Sequence, residues 1–345
     1  MVNRKISIIV NPVSAGGKTG RKLHKIIQLI DKYFSYRYKL SLTTRSLHAT
    51  HLTRKAVKEG FDTIIAIGGD GTIQEIVNGF YEHDNIINPH IRLGIINCGT
   101  GCGLSQSLNL PLKIEEQLQA IHQGYTSSID IGKAVFNNGK NCQETRYFVN
   151  ELQLGIGSSV VNKVQTKQKK LGGFLAFGLT AAVTIFSQKN QEMLLEIDSQ
   201  LPFKRKYLGV VIANGAYTGG GMNLAPGAQL NDGYFDILLI YAQSIPQRLK
   251  NFPRIYFGKH IELPQFSYGR AKKIKIYSAR NTLVEADGEL LGRPPCSVEI
   301  LPGAVRVFLQ YNHNYPISNT IGRDSINNII KGINYEKPVK ENLSS

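Results

Sequence analysis

The stretch IIAIGGDGTIQEIVNG, residues 64–79, decides the fold, because it joins a strand, a glycine cluster and a helix without a break. Its four opening apolar residues, bounded by turn residues, are typical of a strand that is buried on both faces of a parallel sheet. Ile73, Ile76 and Val77 then recur at helical spacing, and Thr72 is a suitable capping residue for the helix that they predict. The stretch therefore predicts one strand, loop and helix unit of an α/β domain.

The loop of this unit, Gly68-Gly69-Asp70-Gly71, has a composition typical of a phosphate site. Glycines let the main chain approach a ligand closely, and the amides at the start of a helix attract phosphate. Asp70 would repel a bare phosphate, so its presence is best explained by a magnesium ion or by a hydroxyl group that must lose a proton. The loop thus predicts phosphoryl transfer. A tight turn without a ligand is the alternative, since such turns also use Gly and Asp.

The composition favours anionic partners. The chain has 345 residues, enough for two domains, and its 41 Lys and Arg against 25 Asp and Glu give a formal charge of +16. Such a charge suits nucleotides, nucleic acid or an acidic membrane surface. No helical stretch shows clustered Arg with interleaved aromatic residues, so nucleic acid is not expected as a partner. The four cysteines are scattered and no secretory signal is visible, so we expect free thiols and a cytoplasmic protein.

Two more glycine loops follow predicted strands in the first part of the chain. One follows the strand at 4–10 and covers residues 11–18, and the other follows the strand at 93–97 and covers residues 98–103. The alternation of strands with helical patterns predicts a parallel α/β sheet, which we assign to an N-terminal domain of residues 1–129. In such a sheet the three loops would meet at the carboxyl ends of the strands, where ligands bind.

After residue 130 the sequence changes to strand-like runs separated by turns, including one at 146–154, which predicts a mostly antiparallel β domain over residues 130–312. Helical patterns interrupt it at 171–187 and 244–257. The first is uncharged but shorter than the roughly 20 residues of a membrane span, so we expect a buried or interfacial helix. Around it, the basic region 163–206 suits peripheral contact with an anionic membrane, although a solvated basic surface is an equal alternative. The polar tail, residues 313–345, has no assigned role.

These loops resemble the motifs of the diacylglycerol kinase catalytic-domain family, particularly its soluble bacterial lipid kinases and the related sphingosine kinases. Residues 11–16 resemble the family's NPxSG loop, residues 68–72 are its GGDGT signature, and residues 99–101 begin its GTGN block. Residues 214–236 resemble its run of NG, GGG, AP and DG motifs, and Asp287-Gly288-Glu289 is similar to its late DGE. The resemblance covers most of residues 1–310 and depends on the order and spacing of all these motifs.

The resemblance implies an N-terminal nucleotide domain, a C-terminal β-sandwich domain, and a cleft between them where ATP meets a lipid hydroxyl. The residues that it assigns to the nucleotide are Asn11, Thr43, Gly68, Gly69, Asp70, Gly71, Thr72, Ile73, Gln74 and Thr100, with Thr44 as an adjacent alternative to Thr43. Asp70 would also help to position the catalytic magnesium ion. Asp287 and Glu289 would organise or deprotonate the acceptor, with Glu289 preferred as general base. Without the resemblance, Asp287-Gly288 is best explained as a hairpin turn.

A second, structural magnesium ion is also implied by the resemblance, bound by Asp232 and by main-chain oxygens of Gln229 and Tyr234. One carboxylate with carbonyl groups is a small ligand set that water or neighbouring groups must complete. The alternative for Asp232 is another turn acid.

The chain departs from the family at Cys102, where relatives have Asn, and at Gly103, where many have Asp. A thiol is a poor substitute for the donor and acceptor of an amide side chain. The leading function is an ATP- and magnesium-dependent kinase for a primary hydroxyl of a diacylglycerol-like or sphingoid lipid. An NAD kinase, whose related fold also uses GGDGT, and a lipid- or nucleotide-binding pseudokinase are the alternatives. The sequence identifies neither the lipid nor the oligomeric state, and a homodimer is left open.

Overall fold

The computed structural model of the chain describes residues 4–99, 101–138, 142–167, 184, 186–278 and 282–311. Thr100, most of the predicted helix at 171–187 and the tail at 313–345 lie outside these residues. A parallel half and an antiparallel half form one continuous sheet, so the predicted fold class, an α/β domain followed by an antiparallel β domain, is confirmed. Among the described helices, none combines the length and the apolar character that crossing a membrane requires.

The N-terminal domain alternates strands with helices. Its elements are β1 (Ile6–Val10), α1 (Lys18–Phe34), β2 (Tyr38–Leu42), α2 (His48–Lys58), β3 (Thr63–Gly68), α3 (Asp70–Gly79), β4 (Tyr81–Glu82), β5 (Asn85–Ile86), β6 (Arg92–Asn97), α4 (Gly103–Ser107) and α5 (Ile114–Gln123), with a 3-10 turn at Ser14–Gly17.

Four of these strands form the parallel half of the sheet, in the order β2-β1-β3-β6. Every residue of β1 and β3 is buried because helices cover both faces of the sheet. In β3, Ile64 and Ala66 pack with α2 and α3, whereas Ile65 and Ile67 pack with α1 and α5. The apolar run that opens the deciding stretch is therefore a fully covered strand, as its composition predicts.

The C-terminal domain consists mainly of antiparallel strands. Its elements are β7 (Thr126–Asn137), β8 (Gln143–Phe148), β9 (Glu151–Gly155), α6 (Ile156–Lys167), β10 (Gln191–Ile197), β11 (Phe203–Ala213), β12 (Tyr217–Thr218), β13 (Met222–Asn223), β14 (Phe235–Tyr241), α7 (Ile245–Tyr256), β15 (Phe266–Ala271), β16 (Lys273–Ser278), β17 (Val284–Ala286) and β18 (Glu289–Phe308), with a 3-10 turn at Lys259–Glu262.

Two long strands, β7 and β18, connect the halves of the sheet. They pair antiparallel along most of their length, and the end of β18 then runs parallel to β6 through Arg306 and Val307. Val307 packs in the same core as residues of β3 and α3. The predicted domain boundary, between residues 129 and 130, falls inside β7. The chain therefore enters the C-terminal domain through β7 and returns to the N-terminal half of the sheet through β18.

Three local predictions can be compared with these elements. The helix predicted at 244–257 is confirmed as α7, which begins with a capping box of Ser244 and Gln247. The capping role predicted for Thr72 is wrong, because α3 begins at Asp70 with Gly69 as its N-cap and no side-chain cap bond. The single strand predicted at 146–154 is also wrong, because the chain turns between β8 and β9, where main-chain amides bind a carboxylate.

Candidate active site

The carboxyl ends of four parallel strands meet at one edge of the sheet. The Thr43 amide, after β2, donates to the Val10 carbonyl at 2.8 Å, and the Asn11 amide, after β1, donates to the Ile67 carbonyl at 2.9 Å. After β6, the Cys98 amide donates to the Gly68 carbonyl at 2.8 Å. These bonds bring Thr43 and the described parts of all three glycine loops to the same edge, as the sequence predicts.

Close packing explains two of the glycines in these loops. A β-carbon on Gly68 would lie 2.5 Å from Oγ1 of Thr72, and one on Gly99 would lie 2.7 Å from the α-carbon of Gly69. The Asn11 side-chain amide donates to Oγ1 of Thr72 at 3.0 Å, so the first loop is tied to the second. The two sequence motifs therefore form one surface, although Thr72 does not cap the helix.

Asp70 begins α3 and faces the third loop. Its Oδ2 accepts a hydrogen bond from the Gly103 amide at 3.0 Å, while its buried Oδ1 has no hydrogen-bond partner within the described part of the chain. Burial raises the pKa of Asp70, and the amides of Gly103 and Leu104 oppose this shift. Magnesium commonly binds one or two protein carboxylates and completes its coordination shell with phosphates and water. A carboxylate oxygen that lacks a hydrogen-bond partner and lies beside a phosphate-type loop fits such an ion.

Two residues assigned to the nucleotide have side chains that point elsewhere. Ile73 is fully buried in the core beside α2. Gln74 is also buried, and its side-chain amide donates to the Ala286 carbonyl at 3.0 Å, across to the C-terminal domain. Only the main chain of these two residues is left for a nucleotide, and the Gln74 side chain ties α3 to the hairpin that carries the late acids.

The late DGE forms a two-residue hairpin loop, because Ala286 pairs with Glu289 and both Asp287 (φ 48°) and Gly288 (φ 84°) are left-handed. The hairpin predicted from Asp-Gly is confirmed.

The side-chain carboxylate of Asp287 binds the turn between β8 and β9. Its Oδ2 accepts from the Val149 amide at 2.8 Å, and its Oδ1 accepts from the amides of Asn150 and Glu151 at 2.9 and 3.0 Å. Asp287 is therefore engaged by three main-chain donors, which suits a positioning residue better than a proton acceptor.

Glu289 follows this loop and reaches the GGDGT loop of the N-terminal domain. A β-carbon on Gly71 would lie 3.4 Å from its Oε1. Burial raises the pKa of Glu289 to about 7, helped by the nearby Glu75 and opposed by Arg146. A carboxyl group with a pKa near 7 beside the GGDGT loop has the properties of a general base.

Two buried acids were not singled out from the sequence. On β9, Glu151 and Gln153 lie on one face, whereas Leu152 and Leu154 lie in the opposite core. On β17, Glu285 is the direct cross-strand neighbour of Gln153 and shares that face. The alternation of acid and apolar residues is typical of a strand with a solvated face, but here the polar face is buried. Burial and the neighbouring carboxylates raise the pKa of Glu151 well above its ordinary value.

A cavity of about 240 Å³ lies over this polar face. Asp70, Glu151, Glu285 and Asp287 all line it. The rest of its wall is mainly apolar and comes from α6, β11, β14 and α7: Ile156, Val160, Val161, Val211, Ile240, Phe252 and Ile255. Glu289 is not among the described lining residues, and its carboxylate lies instead beside Gly71 of the GGDGT loop. The cavity thus combines a carboxyl-rich region next to the nucleotide loop with a wall that suits a hydrocarbon chain.

The predicted second metal set lies in the chain leading into β14. The Asp232 carboxylate pairs with the Arg270 guanidinium, and its Oδ1 also accepts from the Tyr234 amide at 3.1 Å. The Arg270 guanidinium lies 4.5 Å from the centre of the Tyr234 ring, and the Lys272 ammonium lies 4.8 Å from it. The Asp232 carboxylate is thus engaged by one cation and one main-chain amide, so a divalent ion bound there would have to share it with Arg270. The metal role of Gln229, Asp232 and Tyr234 stays a prediction.

The two family departures have distinct surroundings. Cys102 is the N-cap of α4 in a left-handed conformation (φ 54°), and its thiol donates to the Gly99 carbonyl at 3.2 Å. A β-carbon on Gly103 would lie 2.7 Å from the Tyr217 carbonyl oxygen. Main chain therefore occupies the space that an Asp side chain would need at this position.

Comparisons with known proteins agree with this architecture. The family profile of the diacylglycerol kinase catalytic domain matches residues 5–134, and that of the YegS C-terminal NAD kinase beta sandwich-like domain matches residues 151–309. A diacylglycerol kinase of Bacillus subtilis is 30% identical over 297 residues, which is 85% of this chain and 92% of that protein. A diacylglycerol kinase of Staphylococcus carnosus is 26% identical over 307 residues, covering 89% of this chain and 95% of that protein.

Solved structures give the same result. A Bacillus anthracis protein assigned as a diacylglycerol kinase superposes with a TM-score of 0.71 at 27% identity, over 90% of this chain and 97% of that chain. Yeast NADH kinase in complex with NADH superposes with a TM-score of 0.52 at 12% identity, over 98% of this chain and 90% of that chain, which shows a shared fold alone. Since the matches extend over nearly the whole length of named relatives, this chain belongs to the diacylglycerol kinase family and is a lipid kinase with an alcohol group as acceptor.

Proposed function

We propose that this protein is an ATP- and magnesium-dependent lipid kinase that phosphorylates a primary hydroxyl of a diacylglycerol-like or sphingoid lipid. The observation that carries the proposal is the cavity lined both by Asp70 of the nucleotide loop and by apolar side chains of the C-terminal domain. A lipid bound there would have its polar end beside the nucleotide loop and its chain against α6 and α7.

The nucleotide is proposed to lie along the carboxyl edge of the parallel strands. Asn11, Thr43 and the main chain of residues 68–71 would hold it, and Thr100 stays a prediction because it lies outside the described residues. Magnesium held by Asp70 would neutralise phosphate charge. The chain itself would contribute the amides at the start of α3, which favour anions.

Phosphoryl transfer depends mainly on placing the reactants in line and on stabilising charge. In the proposed reaction, the acceptor oxygen forms a bond to the γ-phosphorus while the bond from that phosphorus to the leaving oxygen of ADP breaks. The hydroxyl proton goes to Glu289, and Asp287 fixes the hairpin that carries this base. Glu289 acts here as the catalytic residue and Asp287 as a positioning residue.

Peripheral membrane contact is also proposed, on the outer face of α7. This helix contributes Phe252 and Ile255 to the cavity wall. Its exposed side includes the apolar residues Ile245, Leu249, Tyr256 and Phe257, the last lying just after the helix and 75% exposed. Lys250 and Arg254 are exposed on the same helix. Apolar side chains with neighbouring cations suit an anionic membrane surface beside the lipid cavity.

The proposal is tested by incubating the purified chain with labelled ATP, magnesium and a panel of lipids in mixed micelles. Lipid-dependent phosphate transfer that disappears with a chelator is the expected result. No transfer to any lipid across a broad panel would overturn it. A parallel reaction with NAD as sole acceptor tests the alternative kinase, and we expect no product there because the cavity wall is apolar.

A further inference from the structure

A depression of about 430 Å³ lies at the edge of the parallel sheet opposite the glycine loops. Its walls come from the start of β1, from the turn between α1 and β2, and from the start of β2. The glycine loops follow the other ends of these strands, and the five residues of β1 separate the two edges by about 13 Å. The depression shares no described lining residue with the carboxyl-rich cavity, so it is a separate feature of the surface.

Four of the side chains that line this depression are cations, and none of its described lining residues is acidic. The cations are Arg4, Lys5, Arg37 and Lys39. Two of the ammonium groups lie over one buried ring, because Nζ of Lys5 is 4.7 Å and Nζ of Lys39 is 5.7 Å from the centre of Phe61. The fold thus gathers positive charge from two separate segments of the chain on one concave surface.

Main-chain carbonyls at the ends of helices hold two of these cations. The Arg4 guanidinium donates to the carbonyls of Ile121 and His122, in the last turn of α5, at 2.6 and 2.9 Å. The Lys5 ammonium donates to the Glu59 carbonyl, just after α2, at 2.6 Å. Since the C-terminal end of a helix attracts cations, these bonds explain where both side chains lie. A carbonyl carries no net charge, however, so it leaves the charge of each cation in the depression.

The nearest acid on the β2 side, Glu59, is shared by several lysines. Its carboxylate pairs with the Lys39 ammonium at 2.8 Å and lies 3.9 Å from the Lys55 ammonium. The hydrogen bond from Lys39, together with the charges of Lys55 and Lys5, holds the pKa of Glu59 below its usual range. One negative charge therefore faces three ammonium groups.

A second acid, Asp62, does not neutralise the remaining charge. It lies 3.9 Å from the Arg92 guanidinium. Burial and the charge of Arg92 lower the pKa of Arg4, and their combined effect outweighs the opposing effect of Asp62. Arg37 has no ion pair within the part of the chain that the structure describes. The depression therefore keeps an excess of positive charge.

An anion with several charges would balance this excess, and the lining residues indicate its chemistry. The planar guanidinium of Arg and the ammonium of Lys are the groups that proteins use to bind phosphate oxygens. The apolar residues at the base of the depression, Ile6 and Phe61, are buried, so a ligand meets mainly the charged groups. A chain of phosphoryl groups suits such a site, because each group presents its own negative charge to a different cation.

We infer that this depression is an anion site that binds a polyphosphate chain through Arg4, Lys5, Arg37 and Lys39. The inference is independent of the proposed kinase reaction, since none of these residues takes part in it. The polyphosphate chain is either free or attached to a nucleoside, and the test distinguishes these sources.

The test uses a fluorescent reporter beside the site. The chain contains no Trp, and Tyr36 is 79% exposed next to Arg37, so the variant Tyr36→Trp gives a signal from this surface alone. Titration with tripolyphosphate in the absence of magnesium should give a saturable change, whereas sodium sulfate at equal ionic strength should not. A parallel titration with ATP identifies the source. Equal affinity for ATP assigns the site to nucleotide phosphates as well, and binding of tripolyphosphate alone assigns it to free polyphosphate.

Charge removal at the depression should weaken this binding. In the reporter chain, Arg37→Gln with Lys39→Gln should raise the Kd for tripolyphosphate by roughly tenfold or more, because hydrogen bonds to charged groups are lost. The matched control is Arg254→Gln with Lys204→Gln, which removes the same two residue types from exposed positions elsewhere. Lys204 also pairs with an exposed acid, Glu192, at 2.9 Å, so the control breaks a comparable surface ion pair. The Kd of the control should stay close to that of the reporter chain.

Calorimetry on the chain that retains Tyr36 is a second measurement, which covers the case that the reporter disturbs its turn. The heat of tripolyphosphate binding should be lost in Arg37→Gln with Lys39→Gln and kept in the control. No saturable binding of tripolyphosphate at millimolar concentrations, an equal response to sulfate, or equal affinity of the double variant and its parent would overturn the inference. Each of these results would leave the proposed kinase function standing.

Discussion

Oε1 of Glu289 lies against Gly71, so that a β-carbon on this glycine would come within 3.4 Å of the carboxylate. The contact joins the GGDGT loop of the first domain to the DGE hairpin of the second. The hydrogen bond from Gln74 to the Ala286 carbonyl supports the same junction from the next turn of α3. The nucleotide loop and the proposed base are therefore held together by the folded chain.

We expect kcat/KM to rise with pH and to reach half its maximum near pH 7. The reason is that burial raises the pKa of Glu289 to about 7 and a general base acts when deprotonated. Glu75 and Asp287 favour the protonated form and Arg146 opposes it, so Arg146→Gln should move the profile to higher pH. Glu289→Gln should lower kcat by roughly 10²–10⁴-fold and remove this ionisation. Initial rates between pH 5.5 and 9 check the prediction, and a flat wild-type profile through pH 7 would contradict it.

Asp287→Ala should destabilise the fold, in contrast to Glu289→Gln. The change leaves the amides of Val149, Asn150 and Glu151 without their acceptor, and each buried unsatisfied donor costs about 1–3 kcal/mol. Denaturant unfolding should show a loss of roughly 3 kcal/mol or more for Asp287→Ala. Glu289→Gln should keep wild-type stability. If Asp287→Ala unfolds like the wild type while losing activity, Asp287 is a catalytic residue and its positioning role is wrong.

The strand and loop units of the first domain can be predicted from sequence because each depends on local pattern. The apolar run at 64–67 and the three glycine loops suffice to place these loops at one edge of the parallel sheet. Thr72 misleads because Gly69, which has no side chain to donate or accept, serves as the N-cap. The return of β18 to the first sheet has no local signal, since it depends on pairing of Val307 with Leu93.

The acids of the cavity could not be assigned from the sequence for a different reason. Glu151 and Gln153 alternate with leucines, and the same pattern describes an ordinary strand with one face in water. Only the packing of α6 and α7 over that face shows that the polar side chains are enclosed with an apolar wall.

Glu285→Gln should raise thermal stability at alkaline pH. Burial raises the pKa of Glu285, so the native state binds its proton more tightly than the unfolded chain does. Stability from this group is therefore present below the unfolded pKa near 4.5 and is lost as pH rises through the higher folded value. A neutral amide avoids that loss. At pH 8.5 the Tm of the variant should rise by roughly 2–4 °C for each kcal/mol of unfolding free energy that is recovered, and at pH 5 it should change little. Glu192→Gln serves as the surface control, and a lower Tm for Glu285→Gln at pH 8.5 would contradict the prediction.

Replacing Leu249 and Phe257 by Ser should weaken binding to anionic vesicles. Both side chains are exposed, at 45% and 75%, beside the cations of α7, and burying each apolar side chain in a membrane interface contributes about 1.5–3 kcal/mol. Vesicle sedimentation should show at least a tenfold loss of affinity, while activity on a short-chain acceptor in solution is retained. Leu201→Ser, which changes a side chain that is 79% exposed outside α7, is the matched control. Equal vesicle binding by both variants would exclude α7 as the contact surface.

Cys102→Asn should raise both the stability and the activity of the protein through the third glycine loop, residues 98–103. Cys102 has a left-handed backbone (φ 54°), a conformation that Asn adopts more readily than other side chains, so relief of about 1 kcal/mol is expected. An Asn side chain could also accept and donate hydrogen bonds next to Asp70, whereas a thiol is weak in both roles. Cys102→Ala separates the two effects, because it removes the bond to the Gly99 carbonyl without favouring the left-handed region, and it should be less stable than the wild type. Unfolding and kcat/KM for ATP are measured for both variants. If the Cys102→Asn protein is less stable and less active than the wild type, the prediction is wrong and the loop has adapted to the thiol. The neighbouring Gly103 already shows such an adaptation, because main chain fills the space that a side chain would need there.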